Sequence, residues 1–146
     1  MLRKEIQITD LNGDPQVVVA YFNISKAESI DMNFSTPGGL EAHIKRMIEA
    51  KDTVQTYALF REIVLKSFGV KSPDGQRFVK KDENGRPLYE AFEESPAFGE
   101  LIIELMSDED KTSAFINAVV PDMSYLEDKV KSRQDVAPVN VIPLNH

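Results

Sequence analysis

The chain has 146 residues, of which 42% are hydrophobic and 28% are charged, and its mean hydropathy is -0.29. This size and composition predict one folded domain and exclude a disordered chain or an array of domains. The net charge of -7 argues against nucleic acid and anionic membranes as partners, and the absence of cysteine excludes disulfides, thiolate metal sites and thiol nucleophiles. Charges interrupt the apolar residues at the N-terminus, so we expect no signal peptide, no membrane span and an intracellular protein.

The N-terminal part of the chain predicts a β-hairpin. Leu2, Ile6 and Ile8 share one face of the first segment, and residues 16–24 are rich in β-branched and aromatic side chains. The sequence Asn12-Gly13-Asp14-Pro15 between them supplies the turn. Both faces of the second segment are apolar, so we expect its second face to be covered either by helices or by the same hairpin of another subunit.

Capping signals followed by apolar residues at helical spacing predict the helices that come next. They are Ser25 with Glu28, Thr36 with Pro37, Asp52 with Gln55, Ser95 with Pro96, and Ser107 to Asp110. The third helix carries a broad apolar surface from Val54 to Phe68, so we expect it to be central and buried and Gly69 to end it. Residues 70–89 predict a long connection, in which Arg77–Lys81 pairs with Arg86–Tyr89 across a second turn. Pro121 ends the last helix of this series.

The predicted fold is therefore mainly α within the α+β class. It consists of an N-terminal β-hairpin, a bundle of about five helices and a flexible C-terminal tail. We expect residues 1–121 to form a single globular domain, with the hairpin at 1–24 and the helical part at 25–121. Residues 122–146 are expected to form a short helix and the flexible tail, because two late prolines prevent a helix from continuing.

Charge is unevenly distributed along the chain. Residues 43–81 contain nine Lys and Arg against four Asp and Glu, whereas residues 82–110 contain one against ten. One interpretation is that these charges are solvated helix faces and caps. The other is that they form complementary ends through which identical subunits associate head to tail.

No motif predicts catalysis, a cofactor or a metal. Gly38-Gly39 lacks the spacing of a phosphate-binding loop, His43 has no second histidine one turn away, and Asp108–Asp110 lacks the pattern of a calcium loop. A small hydrolase built on the acidic segment 90–110 would need a cleft that brings two carboxyl groups together as general acid and base. The glutamates considered for such a pair are Glu93, Glu94, Glu100 and Glu104.

Several stretches of the chain resemble one known family. Ala58–Gly69 followed by Ser72–Lys80 is similar to the middle of the phage tail assembly chaperones. The resemblance continues through that family's later helices and its closing helix-proline motif, at Phe92, Ser95–Leu101, Glu104–Met106 and Ala114–Pro121. It spans residues 40–121 and consists of hydrophobic and turn residues rather than a catalytic signature.

The resemblance implies a non-enzymatic morphogenesis factor of long-tailed bacteriophages or prophages. Such a protein acts in the cytoplasm of the infected bacterial host and is absent from the mature virion. It binds the tape measure protein, keeps it soluble and recruits tail tube subunits, and coating a long partner implies self-association. The alternative is a minor structural or adaptor protein of a phage tail or head–tail connector, without chaperone activity.

An amphipathic helical partner needs an apolar groove in which its anchor residues can lie. Two consecutive predicted helices carry an apolar stripe that could line such a groove, and the alternative is that the stripe belongs to the core of the monomer. The residues predicted to bind the partner are Phe98, Leu101, Ile102, Leu105, Phe115, Ile116 and Val119.

Overall fold

The computed structural model describes residues 1–121, and the helix and tail expected at 122–146 lie outside the described residues. Within the described part, the strands are β1 (Leu2–Thr9), β2 (Pro15–Phe22), β3 (Phe68–Lys71) and β4 (Phe78–Val79). The helices are α1 (Lys26–Ser35), α2 (Leu40–Ala50), α3 (Thr53–Ser67), α4 (Tyr89–Glu93), α5 (Pro96–Met106) and α6 (Glu109–Val119). The α+β class is confirmed for these residues, with six helices instead of about five and a four-stranded sheet instead of a lone hairpin.

The N-terminal hairpin forms as predicted. β1 and β2 pair antiparallel from Leu2 opposite Phe22 to Thr9 opposite Pro15. One carboxylate oxygen of Asp10 accepts hydrogen bonds from the backbone N–H groups of residues 12 and 14, each at 2.9 Å. The short polar side chain of Asp10 therefore fixes the turn locally, which is why the turn could be predicted from sequence.

Two further strands extend this hairpin into a sheet of order β1-β2-β3-β4. Gly69, which was expected to end α3, lies buried inside β3 and pairs with Tyr21. A Cβ atom at Gly69 would lie 2.5 Å from the carbonyl oxygen of Val79 and 2.6 Å from the Phe78 ring. α3 ends at Ser67, close to the predicted end, but Gly69 is a strand residue rather than a helix cap. Glycine is needed here for the close approach of two strands.

The connection at 70–89 is more ordered than a long loop. The pairing expected across the second turn is confirmed by a bridge between Lys81 and Pro87 and by the Leu88 N–H, which donates to the carbonyl of Lys80 at 2.8 Å. Asp82 fixes this turn as Asp10 fixes the first, since its carboxylate accepts from two backbone N–H groups two and four residues ahead. Tyr89 already belongs to α4, a short helix that the sequence did not predict.

The predicted caps locate most helix starts. Ser25 and Glu28 form the reciprocal capping box, with hydrogen bonds of 3.0 and 3.1 Å, and Asp52 accepts from the backbone of residue 55 at 3.1 Å. The exception is α2, which begins at Leu40 instead of directly after Thr36. Gly38 and Gly39 adopt left-handed φ angles of 80° and 91°, so the chain turns once more before the helix can begin.

The hydrophobic core joins the inner face of the hairpin to α3, α4, α5 and α6. Phe22 lies at its centre, with ring centroids 5.2 to 5.9 Å from the rings of Phe68, Phe92 and Phe115. The expectation that α3 is a central, buried helix is confirmed in part. Its second half is buried, whereas Val54 is 78% and Tyr57 38% exposed in the first half.

Candidate functional site

The seven residues predicted to bind a partner lie together, where α5 packs on α6. Six of them are buried in the core, and Ile102 is half buried against it. Phe115 illustrates their role, since its ring centroid lies 5.2 Å from Phe22 and 5.8 Å from Phe60. In this conformation the stripe joins the helices to the sheet. Partner binding through these residues remains a prediction that requires the helices to separate.

A separate cleft of about 240 Å³ is open to solvent beside this core. It lies where the start of α3 faces the end of α5 and the start of α6. Its lining residues are Lys51, Thr53, Thr56, Met106, Glu109, Thr112 and Ser113.

Hydrogen bonds within the chain fix the walls of this cleft. The hydroxyl of Thr112 is buried and donates to the carbonyl of Leu105, which joins the start of α6 to the end of α5. The hydroxyl of Thr56 donates to the carbonyl of Met47 at 3.2 Å and so joins α3 to α2. Because these hydroxyl groups already have partners within the chain, covering this part of the cleft costs little in lost hydrogen bonds.

The cleft combines an apolar surface with opposite charges. Met106 contributes a side chain that is 37% exposed, and Tyr57 lies one turn beyond Thr53 on the same face of α3. Lys51 and Glu109 stand on different elements, and neither forms an ion pair with another residue of the described chain. This arrangement suits a polypeptide with an apolar side chain flanked by charges.

The outer face of the hairpin is a second exposed apolar surface. Val17 and Val19 are 57% and 40% exposed, and they stand on β2 opposite Gln7 and Glu5. The helices pack on the inner face instead, through the contact of α5 with β1. Of the two covers predicted for the outer face, helices of the same chain are therefore excluded within residues 1–121. A hairpin from another subunit remains a prediction.

Two of the four glutamates considered for catalysis form tertiary contacts. Glu104 on α5 accepts a hydrogen bond from Lys4 on β1 at 2.8 Å, and Glu93 on α4 forms an ion pair with Arg61 on α3. His43 is half buried on α2. Among residues 1–121, no group of three or more acidic or histidine side chains is arranged to hold a metal ion.

One ion pair changes the titration of its carboxylate. Glu28 on α1 accepts two hydrogen bonds from Lys80, at 2.6 and 2.8 Å. Partial burial would raise the pKa of Glu28, but the bonds from Lys80 and from the backbone of Ser25 outweigh it and lower the pKa. The same carboxylate thus caps α1 and ties that helix to the loop before α4.

Sequence reasoning did not find the cleft. Threonine and serine in a helix are typical of exposed positions, and Val54 and Tyr57 were read as core because they continue the apolar pattern of α3. The available signal was that Asp52 starts α3 only two residues before Val54. The first turn of a helix that follows a loop often projects beyond the core. Few neighbouring elements can then cover its apolar side chains.

Comparison with known proteins identifies a family. A family model described as a phage tail assembly chaperone matches residues 1–141. The match includes the hairpin, which lies outside the range 40–121 on which the resemblance was drawn. No curated protein and no solved structure matches the chain significantly. In residues 1–121, none of the helices has the length and apolarity needed to cross a membrane.

Proposed function

Since the chain belongs to the phage tail assembly chaperone family, we propose that it binds the tape measure protein, keeps it soluble and recruits tail tube subunits during tail morphogenesis. The observation that carries this proposal is the family match over residues 1–141. The tape measure protein is the client of this proposed chaperone.

The exposed surfaces support this role physically. A long helical client exposes apolar anchors at helical spacing, and a protein that keeps it soluble must cover them while staying soluble itself. The cleft and the outer face of the hairpin offer apolar side chains within charged surroundings, and the net charge of -7 favours solubility of the free protein.

The test is co-expression of the full chain with the client and the tail tube protein of the same phage. We expect the client to be insoluble alone and soluble with the chaperone, and the tube protein to join the complex in a tagged pull-down. A client that stays insoluble in the presence of the chaperone would contradict the proposal. A binary complex that never captures the tube protein would contradict recruitment alone.

We propose that this action involves no catalysis. The proposal is supported by the ion pairs of Glu93 and Glu104, which serve different contacts in the fold. Replacing both Glu100 and Glu104 with Gln should leave client solubility unchanged. Glutamine removes acid–base function, its side-chain oxygen can still accept the hydrogen bond from Lys4, and the partly exposed ion pair lost at Glu104 contributes little. Loss of client solubility in a variant that folds normally would contradict this expectation.

The place of action follows from the same role. We propose that the chain works in the cytoplasm of the infected bacterial host and is absent from the mature virion. The alternative is a minor structural or adaptor protein of the tail or the head–tail connector. Mass spectrometry of purified particles distinguishes the two, since a chaperone should be depleted from particles and a structural part should be present in stoichiometric amount.

Self-association is part of the proposal, because one small chain must coat a long client. The outer face of the hairpin supports it through Val17 and Val19, which a second hairpin could cover. Replacing both residues with Lys should shift the chain toward the monomer in sedimentation velocity, whereas Leu11→Lys at the exposed hairpin tip is the matched control. An unchanged distribution of species would contradict the role of this face.

A further inference from the structure

We infer that the cleft between α3 and the α5–α6 turn receives one large apolar side chain of an amphipathic client helix, with a client acid beside Lys51 and a client base beside Glu109. This inference rests on the proposed function and deepens it, because it names the surface and the chemistry of the bound segment.

The volume of the cleft indicates what kind of group it can hold. A cavity of about 150 Å³ is enough to hold benzene, so a cleft of about 240 Å³ accommodates a phenylalanine-sized or leucine-sized side chain. It is smaller than the roughly 300 to 1,000 Å³ typical of pockets for small molecules. A single anchor from a polypeptide therefore fits better than a cofactor.

The surroundings of the cleft indicate that the anchor comes from a helix. Val54 and Tyr57 lie three residues apart on α3, so they are neighbours on its surface and continue the apolar area beside Thr53. Met106 forms the wall contributed by α5. An exposed apolar strip on a helix that also forms one wall of a cleft suits the docking of an amphipathic helix.

The charges at the cleft determine the direction in which the client helix binds. Lys51 stands in the turn before α3, and Glu109 stands in the first turn of α6. Asp108 and Asp110 flank Glu109 in sequence and add negative charge at the start of α6. A client helix with an acid on one side of its anchor and a base on the other complements both walls, and in one orientation only.

The test measures fluorescence anisotropy of labelled synthetic peptides that tile the client, titrated with the full chain. Met106→Glu places a charge on the cleft wall, and Ser113→Phe fills the cleft without removing a buried group. Ile103→Glu is the matched control, because Ile103 is 65% exposed on the same helix and lies outside the cleft lining. Circular dichroism and thermal melting verify that each variant folds.

We expect both cleft variants to lower the affinity for the tightest-binding peptide by at least about tenfold. The control variant should change this affinity by less than about threefold. Lys51→Glu should lower the affinity for the same peptide, and replacing the acidic residue of the peptide with Lys should restore the affinity. This charge exchange tests the inference even if Met106→Glu or Ser113→Phe unfolds the chain.

Other outcomes overturn the inference in distinguishable ways. If wild-type chain binds a peptide and the cleft variants bind it equally well, the cleft assignment fails and the proposed function stands. If no peptide binds the wild-type chain, the proposed function fails and the inference fails with it. A photocrosslinker at position 113 that reacts with residues 122–146 of the same chain would identify the chain itself as the occupant and overturn the client assignment.

Discussion

The two halves of α3 have similar apolar content and opposite surroundings. In the second half Phe60, Ile63 and Val64 are at most 1% exposed, whereas in the first half Val54 and Tyr57 face solvent. The second half packs against the aromatic cluster, and the first half borders the cleft. An apolar helical pattern alone therefore does not distinguish core from docking surface. The neighbouring elements that pack on each part of the helix determine whether that part is core or exposed surface.

Removal of a ring that packs against the buried half of α3 should have the largest effect on stability. Phe115→Ala should destabilise the fold by roughly 3 to 5 kcal/mol, because Phe115 is 3% exposed and contacts both Phe22 and Phe60. Urea unfolding followed by circular dichroism measures this loss. Val54→Ala on the exposed half is the matched control and should cost less than about 0.5 kcal/mol. A loss well below 1 kcal/mol for Phe115→Ala would mean that this face is open to a partner.

The next largest effect concerns the strand that follows the buried half. Gly69→Ala should destabilise by about 1 to 3 kcal/mol, since its Cβ would meet the backbone of Val79, which cannot turn aside as a side chain could. Gly99→Ala on α5, where a Cβ meets nothing within 4 Å, is the control and should be neutral or stabilising. Thermal unfolding compares the two variants. Equal melting temperatures would contradict the close approach of β3 and β4.

A smaller effect belongs to the exposed half. Asp52→Ala should cost about 1 kcal/mol, because it removes the acceptor that caps α3. Asp52→Ser restores a capping oxygen and should recover most of the loss, as measured by urea unfolding. If serine recovers nothing, the first turn of α3 is held by packing and the contrast between the halves is weaker than described.

The smallest effect tests a polar link far from both halves. The pKa of Glu28 is lowered in the fold, so its charge contributes stability above the unfolded pKa, and this contribution is lost as the pH falls through the folded value. Glu28→Gln keeps the acceptor for the capping hydrogen bond and should cost less than about 1 kcal/mol at neutral pH, because the pair is partly exposed. The difference from wild type should shrink as the pH falls below the usual pKa of a glutamate, about 4.3. A difference independent of pH would contradict the role of the charge.

Local chemistry explains which parts of the fold were predictable. The capping box at Ser25, the cap at Asp52 and the proline at Pro96 act within one helical turn, so the sequence alone reveals them. The start of α2 depends on the backbone angles of Gly38 and Gly39, and the role of Gly69 depends on a strand that is distant in sequence, so these two features were predicted incorrectly. The tertiary surroundings likewise decided that the stripe on α5 and α6 is core.

The candidate site was less predictable for the same reason. The cleft is formed by three elements that meet only in the folded chain, and its lining contains polar residues such as Thr53 and Ser113 that no motif singles out. The family, in contrast, could be identified from ordered hydrophobic and turn residues, and the match extends over the hairpin. The ordered pattern of hydrophobic and turn residues therefore identified the family, whereas no local motif identified the cleft.

The most direct test of the account compares hydrogen exchange of the full chain alone and in complex with the client. We expect slower exchange on binding in residues 51–57 and 106–113, because these segments border the cleft. Residues 60–67 belong to the core, so their exchange should change little. Protection confined to other surfaces, with residues 51–57 unchanged, would contradict the claim that the exposed half of α3 borders the client-binding surface.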